Sequence, residues 1–306
     1  MTSTSSDAVP ITERFSRWAN QHRKWLFAAP AMAFTAVLIC FPIGWTLYLS
    51  LTDAKGSVRR PADFIGIANY ADVLTDTDRF WPAVARTGVF TFGALALELI
   101  LGMAIALLLW RTFRGQRWVR VSILLPFVAT PVAIAMMWRL IFEPNIGFAN
   151  RLLGWLGLPP QPWLADPGMT LPTLIFVDVW EFTPMVAIIL LAGLSTLPDE
   201  PDEAARIDGA GRWTIFRRIT LPLLGPTMVL VGILTLSGYF QLFAEPYVMT
   251  EGGPLQSTVS VLYLMYEDGF KWWNLGLASA VAFMLFALMF AVTVGFVAVA
   301  RRRGHA

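Results

Sequence analysis

The sequence predicts an all-α integral membrane protein with six transmembrane helices and both termini on the cytoplasmic face. Three observations carry this. Hydrophobic residues make up 56% of the 306 and charged residues only 14%, outside the balance of a water-soluble domain. The apolar residues gather into six runs, each long enough to cross a bilayer. The basic residues gather in the segments that six crossings would place on one side.

The same composition excludes other classes. A net charge of +2 is too near neutral to suggest a nucleic-acid partner. Cys40 is the single cysteine and sits in an apolar run, so disulfides and cysteine-based metal sites are not expected. His22 and His305 lie in basic tails as solvated side chains, and no metal site is predicted.

In chain order, residues 1–24 read as a cytoplasmic tail, Ser/Thr-rich and then basic with Arg14, Arg17, Arg23 and Lys24. The apolar run 25–51 is too long for a signal peptide and is expected to be an uncleaved spanning helix, bent at Pro30 and Pro42. Residues 53–82 are polar and external. A second span is expected at 83–110, and a short basic loop joins it to a third at 119–142. Residues 143–169, rich in Pro and Trp, lack helical periodicity over most of their length and read as an external cap. The fourth span is expected at 170–194, the fifth at 221–248 and the sixth at 275–300. A charged hairpin, 197–220, separates the fourth and fifth, and the basic tail 301–306 ends the chain. The body from 25 to 300 is thus one transmembrane domain.

Orientation follows from the basic residues. The termini and the loops 111–120 and 195–220 together carry fifteen, among them Arg111, Arg114, Arg117, Arg120, Arg206, Arg212, Arg217 and Arg218. The opposite side carries six: Lys55, Arg59, Arg60, Arg79, Arg151 and Lys271. The positive-inside rule places the first set in the cytoplasm.

The hairpin is the most informative stretch. Glu200 is a candidate cap, Pro201 suits a first helical position, and Asp202 and Glu203 put negative charge at the positive end of the helix dipole. Ala204 and Ala205 keep one face small, Gly209 and Gly211 break the helix, and 213–218 is expected to form a second short one. A polar helix–turn–helix on a membrane protein is useful chiefly when a soluble partner sits on it.

Glu203-Ala204-Ala205, followed by Asp208-Gly209-Ala210 and then Ile219-Thr220-Leu221-Pro222, resembles the cytoplasmic EAA loop of bacterial ABC importer permeases. Gly66-Ile67-Ala68-Asn69-Tyr70, Thr250-Glu251-Gly252-Gly253-Pro254 and Asn274-Leu275-Gly276 with Ala278-Ser279-Ala280 are similar to segments of the carbohydrate branch, of the maltose and glycerol-phosphate type. The resemblance runs from about residue 25 to the C-terminus. It implies a type I ABC importer permease fold and an ATPase-coupling role for Glu203, Ala204, Ala205, Asp208, Gly209 and Ala210. It also implies four kinds of partner: a second homologous permease, two ATP-binding subunits, an extracytoplasmic solute-binding protein and membrane lipid.

No catalytic residues are predicted. There is no Gly-Lys-Ser/Thr phosphate loop: the three lysines, Lys24, Lys55 and Lys271, each follow a residue other than glycine. No Gly-x-Ser-x-Gly elbow, zinc helix or dinucleotide loop occurs either. The chain is expected to bind no cofactor itself; ATP and Mg belong on the partner ATPase.

Ionisable residues at membrane depth are costly and usually face a cavity or a partner. Glu98, Arg139, Asp178, Glu181 and Glu245 are the candidates, with snorkelling expected for Arg139 and a structural pairing for Glu98. Asp178, Glu181 and Met185 share one helical face by three- and four-residue steps. With Trp180, Phe182, Ser237, Tyr239, Phe240, Gln241 and Glu245 they offer acceptors for hydroxyls and aromatic faces for sugar C–H surfaces. Each polar group also fits pairing between helices or subunits, but as a set they favour a solute pathway through Asp178, Glu181, Phe182, Met185, Ser237, Tyr239, Gln241 and Glu245. Pro246 is expected to kink the fifth helix there. The main alternative is a self-contained ion-coupled transporter with Glu98, Asp178 and Glu181 as relay; it leaves the hairpin unexplained. A non-transporting scaffold leaves the carboxylates unexplained.

Overall fold

The computed structural model describes residues 23–56, 61–111 and 113–304. The expected N-terminal tail, with His22, lies almost wholly outside them, as do Arg59, Arg60 and His305. Among the described residues the chain is helical throughout; the extended pairings are two isolated bridges, Thr52 with Phe64 and Lys55 with Asn274.

Four helices are long and apolar enough to cross a membrane, and up to six crossings result if each of two bent pairs counts as one. The continuous ones are α1 (Arg23–Ser50), then, after the short α2 (Ala68–Thr75), α3 (Phe80–Trp110), and further on α7 (Pro167–Leu194) and α13 (Leu275–Gly304). The sixth predicted span therefore continues through the expected 301–306 tail as far as Gly304. Pro30 and Pro42 lie inside α1 without interrupting it.

The predicted third span is not one helix. It is α4 (Gln116–Val128) and α5 (Pro131–Ile141), bent by 92°. The cause is local: the residue before a proline is driven out of the helical region, and Thr130, before Pro131, has φ −74° and ψ 139°. The expected cap at 143–169 does contain a helix, α6 (Phe148–Trp155). Beside it, Glu143 accepts from the backbone N–H groups of Ile146 and Asn145 at 2.6 and 2.8 Å, which holds its carboxyl below the usual carboxylate range. Asn150 fastens α6 to the following strand of chain, accepting from Gln161 N and Trp163 Nε1, both at 2.9 Å.

The hairpin consists of α8 (Glu200–Ile207) and α9 (Arg212–Ile215), the latter running through a wide π turn, Phe216–Thr220, into α10 (Leu221–Leu223). The predicted fifth span breaks there by 62° into α11 (Gly225–Tyr239) and ends nine residues short of expectation, which was residue 248. The break lies at 240–243, ahead of Pro246, which opens the next helical turn; the Leu242 carbonyl accepts from Ser260 Oγ at 2.6 Å. A π turn Pro246–Thr250, the short α12 (Val261–Tyr266) and a third π turn Glu267–Lys271 lead into α13.

The core lies along α3 and α7, whose facing surfaces are small or fully buried: Phe90, Ala94, Gly102 and Ala106 against Leu174, Val186, Ala187 and Leu190. A Cβ added at Gly102 would stand 2.7 Å from Val186 Cγ1, so the glycine sets how close the two helices come. By contrast α1 is apolar and largely exposed along its span, packing chiefly on α13 and, at its end, on α2. A helix apolar on every side belongs in lipid or against another subunit.

At one end of the bundle Asn69 ties three segments together. It is buried, and its Nδ2 donates to Ser50 O at 2.9 Å and Thr52 O at 2.8 Å, where Gly276 of α13 packs close to Thr52 O. Asn69→Ala leaves two carbonyls unpartnered at a cost of about 1–3 kcal/mol. We expect a lower thermal-unfolding midpoint in detergent and an unchanged solute specificity; an unchanged midpoint would contradict this account of the knot.

Candidate functional site

Two sites emerge. The first is the hairpin. The expected Glu200 cap is corrected: Asp199 occupies the cap position, its side chain makes no capping bond, and Glu200 and Pro201 open the helix. The far end is built entirely from backbone. Gly209 takes φ +80°, its N–H bonds to Arg206 O at 3.1 Å, and Ala210 N bonds back to Ala205 O at 2.9 Å. This is the six-to-one closure of a Schellman turn, which needs glycine at the left-handed position. Glu203, Ala204, Asp208 and Gly209 are exposed, Ala205 and Ala210 half-buried. The predicted second helix at 213–218 starts one residue earlier and ends in the π turn. Ile207 was missed from the sequence. It is 87% exposed, an apolar knob on the same short helix as Glu203.

The second site is a cavity of about 200 Å³ between α5, α7 and the end of α11. Of the eight expected pathway residues it gathers six: Asp178, Phe182, Met185, Tyr239, Gln241 and Glu245. The other two stand aside. Glu181 is buried behind the wall, and Ser237 Oγ donates to Ile233 O of its own helix at 2.8 Å. Trp180 and Phe240 also turn away. Trp180 joins an aromatic cluster with Trp138 (centroids 5.3 Å apart), and Phe240 packs among Phe80, Val259 and Tyr263. Pro131, Leu234, Thr235 and Gly238 line the cavity without having been foreseen, because the bend at residue 130 and the early end of α11 create its walls.

Electrostatically the cavity is a surplus of acceptors. Asp178 sits among Glu98, Glu181, Glu245 and Tyr239. All five are buried, and Glu98 is completely so. Glu181 Oε2 has no partner, while the Tyr239 hydroxyl and the Glu98 and Asp178 carboxyls share hydrogen bonds among themselves. Among the described residues no cation reaches them: Arg139, expected to snorkel, is half-exposed, donates to Val248 O at 2.7 Å and lies 3.6 Å from the exposed Glu251. One hydroxyl among four buried carboxyls leaves polar groups in excess of partners, which is expensive, and Asp178 and Glu245 of this set line the cavity.

A helical membrane protein with an acceptor-lined cavity between its spans and an exposed, rigidly closed hairpin beside them is a transport permease. The chain belongs to the family described as binding-protein-dependent transport system inner membrane component, whose profile matches residues 98–305. It is similar to the trehalose/maltose transport system permease protein MalF of Thermococcus litoralis, at 34% identity over 91% of this chain and 94% of that one. It is also similar to the trehalose transport system permease protein SugA of Mycobacterium tuberculosis, at 31% identity over 89% and 86%. Its fold matches a chain of the bacterial alginate ABC transporter solved in complex with an alginate pentasaccharide-bound periplasmic protein. The TM-score there is 0.80 over 94% of this chain and 98% of that one, at 20% identity. The chain is thus an ABC importer permease component of the membrane, and the ion-coupled alternative is set aside.

Proposed function

We propose that this chain forms half of the translocation pathway for a sugar, with Asp178, Phe182, Met185, Tyr239, Gln241 and Glu245 facing the solute and Glu181 and Ser237 supporting them from behind. The observation that carries the reading is the convergence of three polar side chains, Asp178, Gln241 and Glu245, and two aromatic faces on one cavity. A polyhydroxylated solute brings hydroxyl donors to the carboxylates and C–H surfaces to Phe182 and Tyr239. The same carboxylates disfavour an anionic solute, and relatives named for trehalose support an uncharged sugar.

In this reading both bent pairs cross the bilayer, giving six spans with both termini and the 197–220 hairpin in the cytoplasm. Glu203, Ala204, Ala205, Asp208, Gly209 and Ala210 form the surface that docks on an ATP-binding subunit. Two such subunits hold ATP and Mg, this chain holding neither. A second homologous permease completes the pathway, and an extracytoplasmic binding protein delivers the sugar. Closure of the ATPases draws the hairpins together and opens the cavity outward; hydrolysis returns it inward.

The test is purification from native membranes with identification of the co-purifying chains, followed by uptake of the sugar that the binding protein retains. Asp178→Asn keeps the volume and removes the charge. It should leave the complex intact and lower uptake about 10–100-fold, the worth of a charged hydrogen bond. Recovery of the chain alone, or full uptake by the variant, would overturn the respective part of the reading.

A further inference from the structure

Where α3 ends, a groove of about 850 Å³ separates it from the hairpin. Three guanidiniums converge on it, from Arg111 at the end of α3, Arg206 at the end of α8 and Arg212 at the start of α9. Several other arginines have partners, Arg79 with Asp268 at 2.9 Å, Arg120 with Leu109 O at 3.3 Å and Arg139 with Val248 O at 2.7 Å; what sets the groove apart is that arginines from three elements line one space. Among the described residues the three in the groove have no carboxylate or carbonyl partner, although three separate elements bring them together. One carboxylate, Asp202, also lines the groove, so three positive charges against one negative leave two in excess.

The walls are amphipathic. Trp110 and Trp213 flank the arginines, and Leu107 forms the apolar side. At the same end of α3 Leu108 is 67% exposed, and Phe113, three residues past the helix, is 43% exposed. Trp belongs at the level of lipid headgroups, and the planar fork of arginine matches phosphate oxygens. Basic pockets at the ends of spans on the cytoplasmic side take anionic headgroups.

We propose that this groove binds the phosphodiester headgroup of an anionic phospholipid, whose acyl chains lie along Leu107 and Leu108. The inference rests on the placement of the hairpin at the membrane surface proposed above. It deepens that reading: because two of the three arginines belong to the hairpin, the lipid would fasten the coupling element to the end of α3. An acidic segment of the ATP-binding subunit has the right charge but no use for the adjoining apolar surface.

The experiment uses the assembled importer, purified through a tag on a partner chain, with retained lipid read by native mass spectrometry. Phosphatidylglycerol should be retained by the wild type and bound about tenfold more weakly by Arg111→Gln/Arg212→Gln, with partial recovery in Arg111→Lys/Arg212→Lys. Co-purification of all partners shows that each variant has folded. Uptake should rise when phosphatidylglycerol is added to phosphatidylcholine liposomes, and the rise should be lost in the Gln pair. Equal lipid retention by wild type and Gln pair would overturn the site. So would loss of the ATP-binding subunit with lipid unchanged, or binding of inorganic phosphate without lipid. Glu203→Lys separates the two levels: normal uptake by it, with lipid retention still dependent on Arg111 and Arg212, would remove the coupling reading and leave the lipid site standing.

Discussion

Glu203→Lys abolishes solute uptake while leaving the permease folded and in the membrane. Glu203 is exposed on α8 and makes no bond that holds the hairpin together, so reversing its charge removes no packing. Locally the change is modest. The first turn of α8 carries Glu200, Asp202 and Glu203, and a lysine there opposes the helix dipole by about 0.3–1 kcal/mol. Docking is affected far more. A carboxylate sealed against a partner and replaced by an ammonium costs several kcal/mol, as like charges or unpaired buried charges do at interfaces, and turnover stops when the hairpin no longer follows the ATPase. Three readings on one preparation decide the matter: thermal midpoint unchanged, second permease still co-purifying, transport absent with ATP hydrolysis no longer responsive to sugar-loaded binding protein. Uptake at the wild-type rate would end the assignment of Glu203 to coupling.

Gly102→Leu acts at the opposite end of the logic and prevents folding. The site is where α3 and α7 approach most closely, with Val186 Cγ1 2.7 Å and the Ala187 backbone nitrogen 3.2 Å from where a Cβ would stand. A valine methyl can shift a little; a backbone nitrogen inside α7 cannot. In a bilayer, close approach of small residues is itself the main source of helix association, and overpacking a core position costs about 1–3 kcal/mol even where the neighbours can move. Leucine here has to part the two longest buried faces in the chain. We expect loss of the monodisperse peak on size-exclusion chromatography after Gly102→Leu, and a lowered midpoint with retained assembly after Gly102→Ala. Transport by Gly102→Leu would mean that α3 and α7 are not fixed against each other as described.

Much of the spanning architecture was legible in the sequence because apolar length is a strong signal: the ends of α3 and α7 fall within three residues of expectation. The hairpin was legible for a different reason. Pro201, Asp208-Gly209 and the first-turn acids are local instructions that need no tertiary context, although the cap itself shifted to Asp199. What composition hid were breaks. Residues 119–142 are predominantly apolar, yet Pro131 forces Thr130 into an extended conformation and turns the chain by 92°. Hydropathy is blind to that turn, and with it to Pro131 as a cavity wall. The pathway residues divide along the same line. Asp178, Phe182 and Met185 follow from helical steps along the unbroken α7, whereas Trp180 and Phe240 were misassigned because their direction depends on neighbours, Trp138 in one case and the Phe80 cluster in the other.

The closure of α8 has a mechanical consequence. Gly209 and Ala210 lock the helix end by main-chain bonds to Arg206 and Ala205, so the tip of the hairpin carries no compliant side-chain joint that could absorb a push. Beyond it, α9 to α10 runs on through the π turn Phe216–Thr220 without a gap, and the first change of direction is the 62° elbow before Gly225. In the proposed coupling, a force applied at Glu203 would reach the base of the helix that ends at Tyr239, the hairpin acting as a bell crank that turns a small sideways stroke at the tip into a rotation of the wall that carries Tyr239.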